Sequence, residues 1–447
     1  MASAAEQLAA NMNFGAFGKA TELKKRIWFT LGALIVYRLG TYIPLPGIDP
    51  GVIADVFDQQ AGGILGMFNM FAGGALGRMT IFALNIMPYI SASIIMQLMT
   101  AVVPSLETLK KEGESGRKKI NQYTRYLTVV ITAAQGYGLA IGLEGMSGAG
   151  GSAVIDPGWF FRFTTVITLV GGTIFLMWLG EQITARGVGN GISLIIFAGI
   201  VAELPGALAG TLELGRTGAI SAALIVALLI GAVAVIFFVV FVERAQRRII
   251  IQYPKRQQGN KMTAGESSHL PLKLNTAGVI PPIFASSMLL MPITVLQLSA
   301  GQGPEWLNTV SAYLGRGQPL YLLIYISMIV FFAFFYTAVV FNPSDTADNL
   351  KKYGGFIPGI RPGKNTAEYI DKVLTRLTVV GAAYLAIVCI LPEILISRFA
   401  VPFYFGGTSL LIVVTVTMDT VAQVQSHLLA HQYEGLIKKS KLRGRRR

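Results

Sequence analysis

The stretch GGILGMFNMFAGGALGR (residues 62–78), followed at once by MTIFALNIMPYISASIIMQLMTAVV (residues 79–103), decides the fold of this chain. The second segment is long and apolar enough to cross about 30 Å of hydrocarbon as a helix. The first is also apolar, but it is too short for a crossing and several glycines interrupt it. We therefore predict a short re-entrant helix over 62–78, which is tolerated at membrane depth only when it is buried in protein or lines a cavity. A peripheral helix on the outer face is the alternative.

The composition excludes a water-soluble domain. Of the 447 residues 53% are hydrophobic and only 13% are charged, and the mean hydropathy is positive. The formal net charge of +14 could indicate a nucleic-acid partner, but the cations lie between apolar runs instead of on a soluble basic face. The single cysteine, Cys389, excludes an internal disulfide and a cysteine-based metal cluster. The amino-terminal residues have no pattern of a cleaved signal peptide.

Ten runs are long enough to span a bilayer, and none has the alternating pattern of a barrel strand. We predict an all-α integral membrane protein whose spans are 26–45, 79–103, 121–143, 159–180, 189–207, 218–242, 275–298, 318–341, 373–392 and 404–424.

The distribution of lysine and arginine supports this topology. Of the 37 basic residues, 31 lie in the two terminal segments, at Arg26 where the first span begins, and in the loops 104–126, 181–190, 243–274 and 342–376. Ten spans place all of these on one side, and the positive-inside rule makes that side the cytoplasm. Counting 62–78 as an eleventh crossing would move the six cations of 104–126 to the outside.

Two sets of five spans predict two halves of opposite orientation, the topology of inverted repeats. Ten spans without internal symmetry remain the alternative. The predicted divisions are a cytoplasmic segment 1–25, a first half 26–207 that includes 62–78, an external hinge loop 208–217, a second half 218–424 with cytoplasmic loops 243–274 and 342–372, and a basic cytoplasmic tail 425–447.

Residues that could perform catalysis are scarce. The nearest approach to a phosphate-binding loop, Gly359 to Lys364, has the wrong glycine spacing, and no HExxH sequence occurs. His427 and His431 lie one helical turn apart without carboxylate or thiol companions, which favours a solvated helix end over a metal site. Asp419 lies near the cytoplasmic end of the last span, where hydration is its simplest explanation. We predict no enzyme activity, no cofactor and no metal.

Two other patterns suggest a pore and a docking surface. Ile86 and Ile90, and again Ile192 and Ile196, are four residues apart on predicted helices, so two apolar faces could form a constriction that gates by dewetting. Helix packing or lipid contact is the simpler reading. The loops 243–274 and 342–372 are long and basic, which suits ribosomal RNA, an acidic protein face or lipid headgroups.

The chain resembles the bacterial SecY family from about Leu23 to the carboxy-terminal tail. The resemblance rests on the stretches FNMFAGGALGRMTIFALNIMPYISASIIMQL, KKEGESGRKKINQYTRY, MWLGEQITARGVGNGISLIIFAGIV, FVVFVERAQRRI, NPSDTADNLKKYGGFIPGIRPG and VPFYFGGTSLLIVV.

This resemblance implies a protein-conducting channel whose two five-helix halves open sideways, with 62–78 as a plug helix. The plug residues would be Ile64, Leu65, Met67, Phe68, Asn69, Met70 and Phe71. The pore ring would be Ile86, Ile90, Ile196, Ile283 and Ile412, with Ile192 beside them. The lateral gate would include Ser91, Ser286 and Ser287. The docking residues would be Arg247, Arg248, Lys255, Arg256 and Arg361.

The resemblance also implies partners and a location. SecE and SecG would be membrane subunits, and the SecA motor and the ribosome would supply signal sequences and nascent polypeptides. The location would be the bacterial inner membrane, where the lipid bilayer receives transmembrane segments through the gate. The sequence departs from the family pattern at two places. The doubled proline Pro281-Pro282 lies in the predicted gate helix, and Asn85 lies beside Ile86 of the predicted ring. The competing prediction is a secondary transporter with inverted repeats, which would need several polar groups at the midplane.

Overall fold

The computed structural model of the chain describes residues 21–59, 69, 72–145, 147–148, 151–218, 221–254, 256–258, 261–263, 267–298, 313, 318–399 and 407–444. Its helices are α1 Thr21–Gly40, α2 Pro50–Gln59, α3 Met87–Val102, α4 Pro104–Lys111, α5 Glu114–Glu144, α6 Trp159–Arg186, α7 Gly191–Arg216, α8 Ala222–Arg244, α9 Ile280–Leu298, α10 Pro319–Val340, α11 Pro343–Lys352, α12 Lys364–Phe399 and α13 Gly407–Gly444. Its strands are β1 Ser147–Gly148, β2 Gly151–Ser152, β3 Gln246–Gln252, β4 Arg256–Gln258, β5 Lys261–Thr263 and β6 Ser267–Lys273.

Each of the ten predicted spans coincides with a helix of the described part of the chain. Seven of these helices are long and apolar enough to cross a membrane, namely α5, α6, α7, α8, α10, α12 and α13. The pair α3 and α4 makes an eighth if it is counted as one span, although the two helices meet at a bend of 98°. The remaining two predicted spans coincide with α1, which carries charges near both ends, and α9, whose apolar part within the described residues is short.

The outer surface is apolar, as a lipid-facing surface must be. On α8, for example, Val233 is 67% exposed, Phe237 74% and Phe241 68%. A contiguous apolar face of this kind is stable in hydrocarbon and would promote aggregation in water. The helical architecture and this surface confirm the prediction of an all-α integral membrane protein.

Buried threonines keep their hydroxyl groups satisfied within their own helices. Thr124, Thr128 and Thr132 of α5 each donate to the carbonyl oxygen four residues earlier, at 2.7 to 2.9 Å. An unpaired hydroxyl would be costly where water is absent. Because these hydroxyl groups are bonded within α5, the threonines can pack against neighbouring helices without a polar partner there.

Two predicted boundaries differ from the structure near the re-entrant segment. The run 79–103 is helical only from Met87, because Asn85 has a left-handed backbone (φ +48°) and Pro88 then occupies the first turn of α3. Residues 72–78 form turns where we predicted the end of a helix. Gly73 and Gly74 both have positive φ there, a conformation that does not continue a right-handed helix.

A third boundary lies at the predicted hinge loop. Helix α7 continues through Pro205 to Arg216, so most of 208–217 is helical. Its connection to α8 is correspondingly short, because Ser221 already caps the amino terminus of α8.

One large apolar core joins the helices. On one side α9 packs against α3 and α5, and on the opposite side α13 packs against α7, α8 and α1. The contact between α3 and α9, here called the seam, brings together a helix of each predicted half.

Candidate functional site

The six predicted ring isoleucines belong to the same apolar core. Four are buried, with exposures of 1% for Ile86 and Ile412 and 7% for Ile90 and Ile196. Ile283 and Ile192 are partly buried and pack against that core. All six therefore belong to the apolar core that joins the helices, and their grouping as a ring stays a prediction.

Each ring residue lies near the start of its helix. Ile86 is the residue before α3, and its carbonyl accepts the amide of Ile90 at 3.1 Å. In α7 the side chain of Asn190 caps the helix by accepting the amide of Ile192 at 3.1 Å, which fixes the first turn, and Ile196 follows one turn after Ile192.

Of the seven predicted plug residues, only Asn69 lies among the described residues. Ile64, Leu65, Met67, Phe68, Met70 and Phe71 lie outside them. Asn69 holds the turns that follow it: its side-chain Oδ1 accepts the amide of Gly77 at 2.5 Å, and its carbonyl accepts the amide of Gly74 at 2.8 Å. Asn69 therefore acts as a local cap for the segment 72–78.

Helix α1 holds this segment by two successive side chains, Tyr37 and Arg38. Arg38 Nη1 donates to the carbonyl of Gly73 at 2.5 Å, and Tyr37 Oη donates to the carbonyl of Ala72 at 3.4 Å. A Cβ at Gly73 would lie 2.9 Å from Gly199 Cα of α7, so the two backbones touch there. The plug root, defined as residues 72–78, is thus clamped between α1 and α7.

Several charged and aromatic side chains lie around the plug root. The guanidinium groups of Arg38 and Arg78 lie 5.2 and 4.3 Å from the centre of the Tyr42 ring, a cation–π arrangement. Glu203 of α7 lies on the other side of Gly74, whose Cβ would come within 2.5 Å of its carboxylate oxygen. Gly74 is therefore a glycine because the charged groups leave no space for a side chain.

Replacing Arg38 with methionine is expected to loosen the plug root, because the carbonyl of Gly73 loses its charged donor. A hydrogen bond to a charged group contributes about 1.5–3 kcal/mol, less where it is partly exposed. In an Ala72→Cys background, with Cys389 replaced by alanine, labelling of residue 72, which is 2% exposed, by a membrane-impermeant maleimide should become about fivefold faster. Arg216→Met, which removes an exposed arginine of the external ion pair with Glu213, is the control. Equal rates in both variants would contradict the clamp.

The predicted gate serines lie at or near the seam. Ser287 of α9 is 4% exposed, and its Oγ lies 3.8 Å from Met87 Sδ at the start of α3. Ser286 is also buried and donates to the carbonyl of Ile283 at 2.9 Å, within its own helix. Ser91 is half-buried on α3. The hydrogen bond that Ser287 makes across the seam is a weak one, because a thioether sulfur is a poor acceptor.

The two long basic loops, which we predict to be cytoplasmic, form one body, here called the cytoplasmic body. Strand β3 pairs antiparallel with β6, and β3 also exchanges two backbone hydrogen bonds between Gln252 and Phe356, at 2.9 and 3.0 Å. Beneath these contacts lies a small apolar core of Ile249, Leu272, Ile357, Ile370 and Leu377. This shared core explains why the two loops are long. Each loop alone has too few apolar residues to fold, and together the loops bury a core.

The cytoplasmic body carries the predicted docking residues that the structure describes. Arg247 and Arg248 are exposed on β3, and Arg361 is exposed between two glycines of positive φ, Gly359 and Gly363. The backbone of Arg256 lies in β4, which pairs with β5. Lys255 lies outside the described residues.

Sequence reasoning missed the residues that clamp the plug root and cross the seam. Tyr37 and Arg38 read as the end of an ordinary span, although an arginine within an apolar run is an informative signal. Met87 and Gly199 carry no such signal, since their importance comes from contacts with residues far along the chain. Asp419, which the sequence left between hydration and function, is exposed on α13.

The described residues bear on the predictions of no metal site and no internal disulfide. No group of three or more His, Cys, Asp or Glu side chains is close enough to hold a metal ion there. Cys389 is buried and free.

Relatives of known name align with nearly the whole chain. The family model SecY matches residues 80–421. The protein translocase subunit SecY of Escherichia coli strain K12 is 59% identical over 96% of this chain and 96% of its own length. The protein of the same name from Rickettsia conorii is 56% identical over 94% of this chain and 97% of its own length.

Solved structures share the fold at low sequence identity. A protein-conducting channel superposes with a TM-score of 0.65 at 18% identity, covering 91% of this chain and 92% of its own. The Sec61 channel in the canine ribosome–channel complex gives a TM-score of 0.62 at 18% identity, with the same coverage. The extent of the family match and the identity to full-length relatives lead to one conclusion: this chain belongs to the SecY family.

Proposed function

We propose that this chain is the central subunit of a protein translocase, a channel that passes unfolded polypeptides across a membrane and releases transmembrane segments sideways into lipid. The observation that carries the proposal is the 59% identity to a translocase subunit over nearly the whole chain, and the burial of predicted ring isoleucines in the apolar core is compatible with it. The alternative of a secondary transporter has no support among these relatives.

The ring residues suit a passage for many different sequences. Branched apolar side chains gain free energy from burial in proportion to area and without directional bonds, so they can close around a passing chain of any sequence. When no chain is present, the same side chains close on one another and exclude water and ions. The plug, with its root clamped by α1 and α7, would form a second barrier on the external side.

The seam between α3 and α9 would be the lateral gate. A signal sequence has an apolar core that gains roughly 25 cal/mol per Å² when it leaves water for lipid or protein. The contact between Ser287 and Met87 offers little resistance to such a segment. Insertion of the signal sequence at the seam would therefore separate the two halves and widen the pore at the same time.

The cytoplasmic body would be the docking surface for the machines that deliver substrates. Its exposed arginines suit ribosomal RNA or an acidic protein surface, and the chain lacks a nucleotide-binding loop of its own. We assign the ribosome and the SecA motor to this surface, and SecE and SecG to the apolar outer surface as membrane subunits. The charge distribution favours both termini in the cytoplasm, and the bacterial relatives favour the inner membrane.

The proposal is tested by crosslinking from a photoreactive residue at Ile196 to an arrested secretory chain, in membranes supplied with the motor. Capture that depends on the signal sequence is expected. A photoreactive residue at Ile230, which is 65% exposed on α8, is the control and should not capture the chain. Export without capture from any ring position would refute this path and leave the isoleucines as packing residues.

Reversing two charges of the cytoplasmic body, by Arg247→Glu together with Arg361→Glu, is expected to weaken ribosome binding about tenfold at low salt. Each exposed charge contact contributes up to about 1 kcal/mol, and reversal adds repulsion. Binding would be measured by co-sedimentation over a range of salt concentrations, and the difference should shrink as salt rises. Arg376→Glu, an exposed reversal on α12 outside the predicted set, is the control. An equal loss in both would indicate net charge instead of a defined surface.

A further inference from the structure

The gate helix is joined to the cytoplasmic body by a very short connection. Strand β6 belongs to the body and ends at Lys273, and α9 begins at Ile280. Only residues 274–279, here called the connection, lie between them. Any movement of the hairpin formed by β3 and β6 must either bend the connection or be passed on to α9.

The connection is held on the side of α8. The amide of Leu274 donates to the carbonyl of Ala245 at 2.9 Å, which extends the pairing of the hairpin by one step. Asn275 is 4% exposed, and its Nδ2 donates both to Glu243 Oε1 at 2.7 Å and to the carbonyl of Gly278 at 3.0 Å. Glu243 lies in the last turn of α8. A single amide group therefore ties the end of α8 to the last turn before α9.

The connection is also held on the side of α12. A Cβ at Gly381 would come within 2.9 Å of the carbonyl oxygen of Leu274 and 3.5 Å of Asn275 Cα. The backbone of α12 thus lies directly against the connection. Gly278, which has a positive φ of 64°, then makes the turn that directs the chain into α9.

These contacts make the connection stiff where a loop between a surface hairpin and a membrane helix is ordinarily flexible. The bond from Asn275 to Glu243 is charge-assisted, and such bonds are roughly twice as strong as neutral ones. Because the same amide also holds the carbonyl of Gly278, the turn cannot change shape without breaking a buried hydrogen bond. Displacement of the body is then transmitted to the start of α9.

We propose that Asn275 is a positioning residue that couples the cytoplasmic body to the lateral gate, through its hydrogen bonds to Glu243 and Gly278. This inference rests on the proposed function, in which the body docks the ribosome and the seam between α3 and α9 opens. It adds the physical link between the two sites: the connection acts as a rigid strut, and Asn275 provides its rigidity.

The test measures how docking changes the seam. Cysteines replace Met87 and Ser287 in a Cys389→Ala background, and the rate of disulfide formation reports how closely α3 and α9 approach. Empty ribosomes bound to the intact channel are expected to slow this reaction severalfold. With Asn275→Ala the slowing should disappear, although ribosome affinity and the rate without ribosomes stay within twofold of their original values. A merely structural role would change the rate without ribosomes.

Thr276→Ala is the matched control, since Thr276 lies in the same connection and its hydroxyl donates to the carbonyl of Lys273 at 3.1 Å in an exposed hydrogen bond. The control should keep the full response to ribosomes. A full response in Asn275→Ala as well would overturn the coupling alone and leave the proposed function intact. Ribosomes that bind without changing the seam in the unsubstituted channel would overturn the coupling and the proposed gate together.

A second variant keeps the test valid if Asn275→Ala does not accumulate in membranes. Glu243→Gln retains an oxygen acceptor for Asn275 but removes its charge, so the bond weakens while its geometry is kept. The response to ribosomes should then fall to an intermediate value. A full response in Glu243→Gln would also count against the proposal.

Discussion

The purified channel with Ile196→Ser is expected to conduct ions about tenfold more than the unsubstituted channel. Burial of an isoleucine side chain contributes about 1.5–3 kcal/mol, and each 1.4 kcal/mol changes an equilibrium tenfold. Serine at this position loses that contribution and offers a hydroxyl to water, so the dry closed state becomes less favoured. Conductance in planar bilayers measures the effect directly, and export of a substrate with a defective signal sequence should rise in parallel.

Two controls separate the ring from general packing. Ile196→Val removes one methylene and keeps the site apolar, so its leak should remain close to the original. Ile195→Ser places the same polar group at the neighbouring position of α7, which is also fully buried. If Ile195→Ser leaks as much as Ile196→Ser, the leak reflects loss of packing and the assignment of Ile196 to the ring is wrong.

The positions of the membrane-spanning helices could be predicted from the sequence because they depend on quantities that a single chain displays. The length of apolar runs and the distribution of cations are local properties, and the helices α5, α6, α8 and α10 coincide with their predicted spans. The re-entrant interpretation of 62–78 rests on the same charge distribution, which an extra crossing would reverse. It stays a prediction, because most of 62–71 lies outside the described residues.

Helix ends and contacts between distant segments could not be predicted in the same way. The start of α3 at Met87 depends on the backbone of Asn85, whose left-handed conformation a sequence pattern does not reveal. The clamp on the plug root brings Arg38 and Gly73 together across 35 positions. Similarly, the apolar residues of the cytoplasmic body are too sparse in each loop to indicate a core, which exists only when Phe356 pairs with Gln252.

The candidate residues also divide into those that a sequence pattern indicates and those that only contacts between distant segments reveal. Ile86 and Ile196 were predicted to be apolar pore residues, and their burial in one core with Ile412 is compatible with that role. Their function stays a prediction, because buried isoleucines also pack in helices that form no pore. The seam offers the more decisive test, since a contact between α3 and α9 can be made covalent and then reversed.

A disulfide between Met87→Cys and Ser287→Cys is expected to abolish export and the lateral release of transmembrane segments. The side chains already touch, with Ser287 Oγ 3.8 Å from Met87 Sδ. Because a cysteine Sγ lies one bond nearer the backbone than Met87 Sδ, α3 and α9 must approach each other slightly for oxidation to link them. A covalent bond cannot be separated by the free energy that a signal sequence gains on insertion. The native Cys389 is replaced by alanine in all variants so that only one disulfide can form.

Reduction with a thiol provides the internal control, because it should restore transport to at least about half the rate of the unoxidised channel. Each single cysteine variant should be insensitive to oxidation. A disulfide formed in high yield with transport unchanged would show that polypeptides pass without separation of α3 from α9, and the lateral gate would have to lie elsewhere. Because the crosslink acts on the seam and leaves Ile196 unaltered, loss of transport here would identify opening of the halves as the required step, independently of the ring.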